Sequence, residues 1–163
     1  MSRPSRNQRS TKLSKGGAVA CLLCAGLLLV ALFAPSARGE DRVAREFVMI
    51  VNPANPVRSV SDDFLARAFF KQMTRWDHGE PIRPVDLHLT SPVRYAFSNG
   101  VLKRPPQAVR VYWLQRIFSG RDVPPLELDS EAAVIRYVLS SPGAVGYVSA
   151  ATNPAPAKVL TVQ

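Results

Sequence analysis

Segments with strand-like and helix-like patterns alternate along residues 46–162 of this chain, and prolines separate most of them. Residues 46–52 (EFVMIVN) form a continuous apolar run of strand length, which predicts a strand buried on both faces of a sheet. Further strands are predicted over residues 82–87, 144–149 and 158–162. Any fold for this chain must therefore combine a sheet with helices that lie between its strands in sequence.

Four helices are predicted between these strands. The first covers about residues 62–71, because a serine N-cap and two aspartates open it. The second begins at Ser91 and Pro92, since proline at the first helical position loses no helical hydrogen bond. The third follows the double proline 105–106, and the fourth follows Ser130. Helical spacing assigns these apolar side chains to the inner faces of the last three helices: Val93, Ala96, Phe97, Val109, Tyr112, Trp113, Ile117, Val134, Tyr137 and Val138.

The order of predicted elements is therefore β α β α α α β β. Strands interleaved with helices favour an α/β sandwich, in which helices flank a mainly parallel or mixed sheet. Residues 40–163 show no internal repeat and no second domain boundary, so one domain is predicted there.

Residues 1–39 have the layout of a secretory signal peptide. Five positive charges in residues 1–15 precede an apolar run over residues 16–34, and the small residues Ala37 and Gly39 suit a cut after Gly39. An uncleaved membrane anchor is the alternative, because about 18 apolar residues can just span a bilayer. Both readings predict that residues 40–163 lie outside the cytoplasm, in the periplasm or secreted.

The positive charge and the cysteines belong largely to this leader. The net charge of the chain is +9, but residues 1–39 contain six Lys or Arg and no acid, which leaves 15 basic and 12 acidic residues in the rest. A nucleic-acid partner is therefore not predicted. Cys21 and Cys24 both lie in the apolar run, so neither a disulfide nor a metal site is predicted for the domain.

The sequence offers few residues for catalysis, so a non-enzymatic protein without a cofactor is predicted. His78 and His88 are the only histidines, and their spacing is not that of metal ligands on one helix face. Asp62 and Asp63 are adjacent in a helix, so their side chains point in different directions. An envelope hydrolase that uses His78 or His88 is the remaining enzymatic alternative.

The predicted helix start at Ser91 is a candidate anion site. The N-terminus of a helix leaves backbone N–H groups unpaired at the positive end of the helix dipole. Ser91 adds a hydroxyl there, and Arg94 adds a positive charge within the first turn. The alternative is that Ser91 is an ordinary N-cap and Arg94 a surface charge.

The chain resembles the phosphate-type substrate-binding proteins of ABC transporters, in particular short secreted members with about one lobe of the usual two. The resemblance covers nearly all of residues 46–150. It rests on these segments: Val51–Pro53 (VNP), 60–69 (VSDDFLARAF), 71–76 (KQMTRW), Ile82, Pro84 and Val85, Phe97 and Leu102, Tyr112 and Trp113, 118–120 (FSG), and 142–148 (PGAVGYV). It implies a periplasmic binding protein-like fold of type II, reduced to a single lobe in residues 40–163.

The anion-binding loop of that family departs from its pattern in this chain. The family pattern is R-S-D-G-S-G-T, and this chain has Leu87 for the arginine, Thr90 and Ser91 for a glycine-serine pair, then Pro92 and Val93. Pro92 lacks an N–H donor, and Leu87 lacks the planar fork of donors that suits phosphate. Weak anion binding is therefore expected.

The resemblance implies a secreted solute-binding-like domain that takes phosphate or another oxyanion weakly at a helix start. Four residues are the candidate ligand-binding set: Ser91, Arg94, Thr90 and Val93. The alternative is a ligand-free interaction or sensor-accessory module on the same scaffold, with an envelope protein or a transporter as its partner. Membrane contact is predicted only through an uncleaved leader.

Overall fold

A computed structural model describes residues 45–163 of the chain. The predicted signal peptide or anchor, residues 1–39, lies outside the described residues. Six strands form one sheet, in the spatial order β2-β6-β1-β5-β3-β4. They are β1 (Phe47–Val51), β2 (Ser59–Val60), β3 (Arg83–Leu87), β4 (Leu126–Leu128), β5 (Ala144–Ser149) and β6 (Lys158–Val162).

The sheet is mixed, as the order of elements predicted. β1 lies antiparallel to both β5 and β6, whereas β3 lies parallel to β4 and β5, and β2 lies parallel to β6. Met49 at the centre of β1 is opposite Tyr147 on one side and Leu160 on the other. β1 and β5 are almost completely buried, because helices cover both faces of the sheet at this point.

The four predicted helices are all present: α1 (Asp62–Phe69), α2 (Pro92–Phe97), α3 (Pro106–Phe118) and α4 (Glu131–Ser140). A π-helical turn, Ser98–Leu102, continues α2. The serines that precede α1, α2 and α4 each accept a hydrogen bond from the backbone N–H three residues later.

Helices α1 and α2 pack on one face of the sheet and α4 packs on the other. Tyr147 of β5 stacks on Phe97 of α2, with ring centroids 4.1 Å apart. At the neighbouring Gly146 the side-chain position faces the other side of the sheet, where a Cβ would lie 2.6 Å from Val134 of α4. The α/β sandwich is thereby confirmed, with a core built from both layers.

Two details differ from the sequence predictions. The short strands β2 and β4 were not predicted, because runs of two and three residues carry no periodicity. Ile117 was assigned to the inner face of α3, which is wrong: its side chain is 45% exposed. Besides Pro106 at its start, the fully buried residues of that helix are Val109 and Trp113, which form its inner side.

No helix within residues 45–163 is both long enough and apolar enough to cross a membrane.

Candidate functional site

The loop between β3 and α2 is held by backbone hydrogen bonds. β3 ends at Leu87, and the next N–H, of His88, donates to the carbonyl of Leu128 at the end of β4 (2.9 Å). The N–H of Ser91 donates to the carbonyl of His88 (2.9 Å). Thr90 Oγ1 lies 2.9 Å from His88 Nδ1. The parallel pairing of β3 with β4 therefore positions the start of α2.

The first turn of α2 offers few free donors. The N–H of Arg94 donates to Ser91 Oγ at 3.4 Å, and the N–H of Tyr95 donates to the carbonyl of Ser91 at 3.2 Å. Pro92 has no N–H. Val93 is thus the one residue of this turn whose N–H has neither a helical partner nor a bond to the cap.

The guanidinium of Arg94 lies inside the protein. Only 4% of the residue is exposed, so the sequence alternative of a surface charge is wrong. Its Nη2 lies 2.9 Å from Asp86 Oδ2, and its Nη1 lies 2.9 Å from Glu127 Oε2. Nη1 also donates to the carbonyl of Leu87. Arg94 therefore joins the start of α2 to both β3 and β4.

Asp86 is the centre of this polar network. Besides Arg94, its carboxylate accepts hydrogen bonds from the hydroxyl of Tyr147 and from the N–H of Leu87. Burial raises the pKa of the Asp86 carboxyl, and the positive charge of Arg94 opposes that rise. Burial and the adjacent Asp86 charge raise the pKa of the Tyr147 hydroxyl above its ordinary value.

Aromatic rings pack against the network and shield it from solvent. Phe97 stacks on the Tyr147 ring, and Phe69 packs against Phe97 with the centroids 4.6 Å apart. The ring of Phe47 lies edge-on to that of Phe97, with the centroids 5.6 Å apart. These rings exclude water from Asp86 and Tyr147, which is the physical cause of the pKa changes.

The charges around the helix start do not favour an anion. One guanidinium faces two carboxylates, and Glu127 is half-exposed beside the loop. The groups that remain for an anion include the N–H of Val93 and the hydroxyl hydrogen of Ser91, whereas the Thr90 hydroxyl is bonded to His88 Nδ1. The candidate residues Ser91, Thr90 and Val93 therefore lie together, while the charge of Arg94 is directed away from them into the core.

The two histidines lie apart from one another on exposed loops. His88 Nε2 is 4.0 Å from Glu127 Oε1, and His78 stacks beside Trp76 at 6.4 Å. Within residues 45–163, no three His, Cys, Asp or Glu side chains converge in a way that could hold a metal ion.

The residues that complete the network were not among the sequence candidates: Asp86, Glu127 and Tyr147. The one signal for them was Asp86 itself, an acid within the apolar strand 82–87. A charge in a buried strand requires a partner. Nothing local to the strand indicates that this partner is Arg94.

Several solved structures with a similar fold are described as phosphate transport or phosphate-binding proteins. An ABC-type phosphate transport receptor from Vibrio cholerae is similar at a TM-score of 0.57 and 20% identity, over 72% of this chain and 46% of that one. A protein from Clostridium perfringens, described as a phosphate ABC transporter substrate-binding protein with bound phosphate, is similar at 0.56 and 17%, over 72% and 44%. PstS from Borrelia burgdorferi is similar at 0.52 and 15%, over 72% and 47%.

These similarities confirm the α/β fold expected from the resemblance. The chain spans less than half the length of each of these three structures. No protein-family model matches the sequence, and comparison with curated protein sequences gives no match.

Proposed function

We propose that this chain is an exported, non-enzymatic lobe of the substrate-binding type that serves as an interaction or sensor-accessory module in the cell envelope. The observation that carries this proposal is the pairing of Arg94 with Asp86 and Glu127 inside the protein. The cation nearest to the expected anion site is already neutralised by the protein's own carboxylates.

Phosphate would have to compete with these carboxylates for the guanidinium. Moving Arg94 outward would leave Asp86 buried without its counter-charge, which is costly in a water-free environment. If Arg94 stays in place, an incoming anion meets the negative charge of Glu127. Both routes weaken binding relative to a site with a free cation.

The layout of residues 1–39 supports export, with residues 40–163 as the mature domain in the periplasm or outside the cell. A transporter or another envelope protein is the partner class that the fold suggests, since the structural neighbours are described as ABC transporter components.

Weak oxyanion binding is the second candidate function. It is favoured by the structure with bound phosphate among the neighbours, and by the partly exposed cap formed by Ser91, Thr90 and Val93. In this case Arg94 contributes at most a distant charge. Each hydrogen bond to a half-solvated anion contributes only about 0.5 to 1.5 kcal/mol.

The two candidates differ in their response to phosphate. The thermal midpoint of residues 40–163 would be measured in phosphate, sulfate and chloride at matched ionic strength. A ligand at about 100 times its Kd stabilises a protein by about 2.7 kcal/mol, a shift of several degrees at this size. We expect equal midpoints in the three salts.

A variant makes the test sharper. Glu127→Gln removes the exposed carboxylate beside the loop, and Asp129→Asn is its control, because Asp129 is an exposed acid two residues further along the chain. A phosphate-specific rise that grows in Glu127→Gln and disappears in Ser91→Ala would establish the oxyanion site. It would refute the ligand-free proposal.

A further inference from the structure

Helix α3 has a second apolar side that nothing in residues 45–163 covers. Val109 and Trp113 face the core, whereas Val111, Leu114 and Phe118 follow one another at helical spacing on the opposite side. These three side chains are 53%, 40% and 86% exposed. They are called the α3 stripe below.

The exposed apolar surface continues past the end of the helix. Val123, after the helix ends, is 61% exposed, and Ile117 in the last turn of α3 is 45% exposed. Of the eight large apolar residues that are exposed within residues 45–163, five lie between 111 and 123. Such clustering is typical of an interaction site, unlike single apolar residues scattered over a surface.

The positive charge of the domain is concentrated on the same element. Residues 45–163 contain 14 Lys or Arg and 10 Asp or Glu. The segment 103–121 holds five of the basic residues and no acidic one, so the remainder has nine basic and ten acidic residues. The five are Lys103, Arg104, Arg110, Arg116 and Arg121.

Arginines lie at one border of the α3 stripe and just beyond its C-terminal end. Helical spacing places Arg110 at that border, about 40° from Leu114, and the exposed Arg121 follows Phe118 by three residues. Arg104 and Arg116 lie outside the stripe, against the ring of Tyr112, at 6.0 Å and 5.5 Å from its centroid. Asp122, the first acid after this segment in the sequence, forms an ion pair with Lys71 (Nζ to Oδ1, 3.6 Å).

We propose that α3 and its C-terminal turn dock on an anionic phospholipid surface. The α3 stripe would enter the region between headgroups and acyl chains, and Arg110 beside it and Arg121 beyond its end would reach the phosphates. This adds a membrane contact within the domain to the one predicted for an uncleaved leader. It does not depend on the proposed function, because it involves no residue of the Ser91 loop.

The observations favour a lipid surface over two other occupants. A second copy would bring two cationic faces together, which is repulsive. A protein would need an acidic pocket fitted to Phe118, which projects from the surface with 86% of its area exposed. A bilayer accepts a projecting apolar side chain without a matching cavity.

Vesicle sedimentation tests the proposal. Residues 40–163 are used because residues 45–163 contain the whole sheet and both helical layers, and cooperative thermal unfolding is checked first. We expect binding to vesicles of phosphatidylglycerol with phosphatidylcholine, much less binding to pure phosphatidylcholine, and loss of binding at high salt.

Two pairs of variants locate the contact. Phe118→Ser should reduce binding severalfold, whereas Val159→Ser, at an apolar residue 48% exposed on β6, should leave it unchanged. Arg110→Gln should reduce binding about fivefold, the value of one basic residue near an anionic surface, and Arg136→Gln on α4 should reduce it less. Thermal midpoints should stay constant, since Phe118 and Arg110 are exposed.

A second readout reports on the α3 stripe directly. Phe118→Trp should show a blue shift in fluorescence with anionic vesicles only. Absence of vesicle binding, or binding that is insensitive to Phe118→Ser, would overturn the proposal. Binding to soluble polyglutamate without binding to vesicles would also overturn it, in favour of an acidic protein partner.

Discussion

Removal of the Arg94 guanidinium is the most direct test of the buried network. In Arg94→Met the aliphatic stem is retained, but Asp86 remains buried with only the Tyr147 hydroxyl and one backbone N–H as partners. Breaking a buried ion pair from one side costs about 3 to 5 kcal/mol. For a domain of this size, this lowers the thermal midpoint by roughly 12 to 20 °C.

The penalty should depend on pH in a definite direction. Without Arg94 only the hydrogen bonds from the Tyr147 hydroxyl and the Leu87 N–H oppose the rise that burial causes in the Asp86 pKa. A carboxyl with a raised pKa in the folded state is stabilising below its unfolded pKa, and this contribution is lost as the pH rises through the folded pKa. The difference between Arg94→Met and wild type should therefore be smaller at mildly acidic than at mildly alkaline pH.

Urea unfolding followed by circular dichroism, with a double-mutant cycle, measures both effects. Asp86→Leu combined with Arg94→Met should cost at least about 1 kcal/mol less than the sum of the single changes. Arg136→Met, at an exposed position of α4, is the matched control and should change stability by less than about 0.5 kcal/mol. Equal effects of Arg94→Met and Arg136→Met would refute the buried pairing.

Two further predictions concern the core around this network. Because its pKa is raised, Tyr147 stays protonated in the folded state at alkaline pH, whereas it ionises in the unfolded state above pH ~10, so the wild type loses stability there. Tyr147→Phe lacks this contribution. Its free energy of unfolding should therefore fall less steeply than that of the wild type, by about 1.4 kcal/mol per pH unit. Parallel stability profiles from urea unfolding would contradict this. Gly143→Ala should cost about 2 kcal/mol or more, because its Cβ would collide with the carbonyl of Pro81. Gly100→Ala, with an ordinary 3.5 Å contact to a phenylalanine, should change stability by less than about 1 kcal/mol, and similar thermal midpoints for both glycine variants would argue against the collision.

Most of the fold could be predicted because its signals are local. The serine caps mark the starts of α1, α2 and α4, and the apolar run of β1 marks a buried strand. β2 and β4 exist only through pairing with β6 and β3, so no local pattern announces them. In α3 helical spacing assigned Val109, Tyr112 and Trp113 correctly to the inner side, but the second apolar side of the helix led to the wrong placement of Ile117.

The site was less predictable, because its decisive contacts are distant in sequence. Ser91 could be recognised as a cap from its neighbours alone. Arg94 and Glu127 are 33 residues apart, and Asp86 and Tyr147 are 61 residues apart. A charged side chain near a helix start looks the same in sequence whether it faces solvent or the core, so its availability for a ligand required the tertiary structure.

The position of β6 has a consequence for how the chain reaches its final structure. This strand covers residues 158–162, yet it lies between β1 and β2 in the sheet. Until those residues have been synthesised, β1 lacks one of its two neighbours and β2 has no strand to pair with. The sheet therefore closes only after β6 has left the ribosome, and one edge of β1 stays unpaired until then.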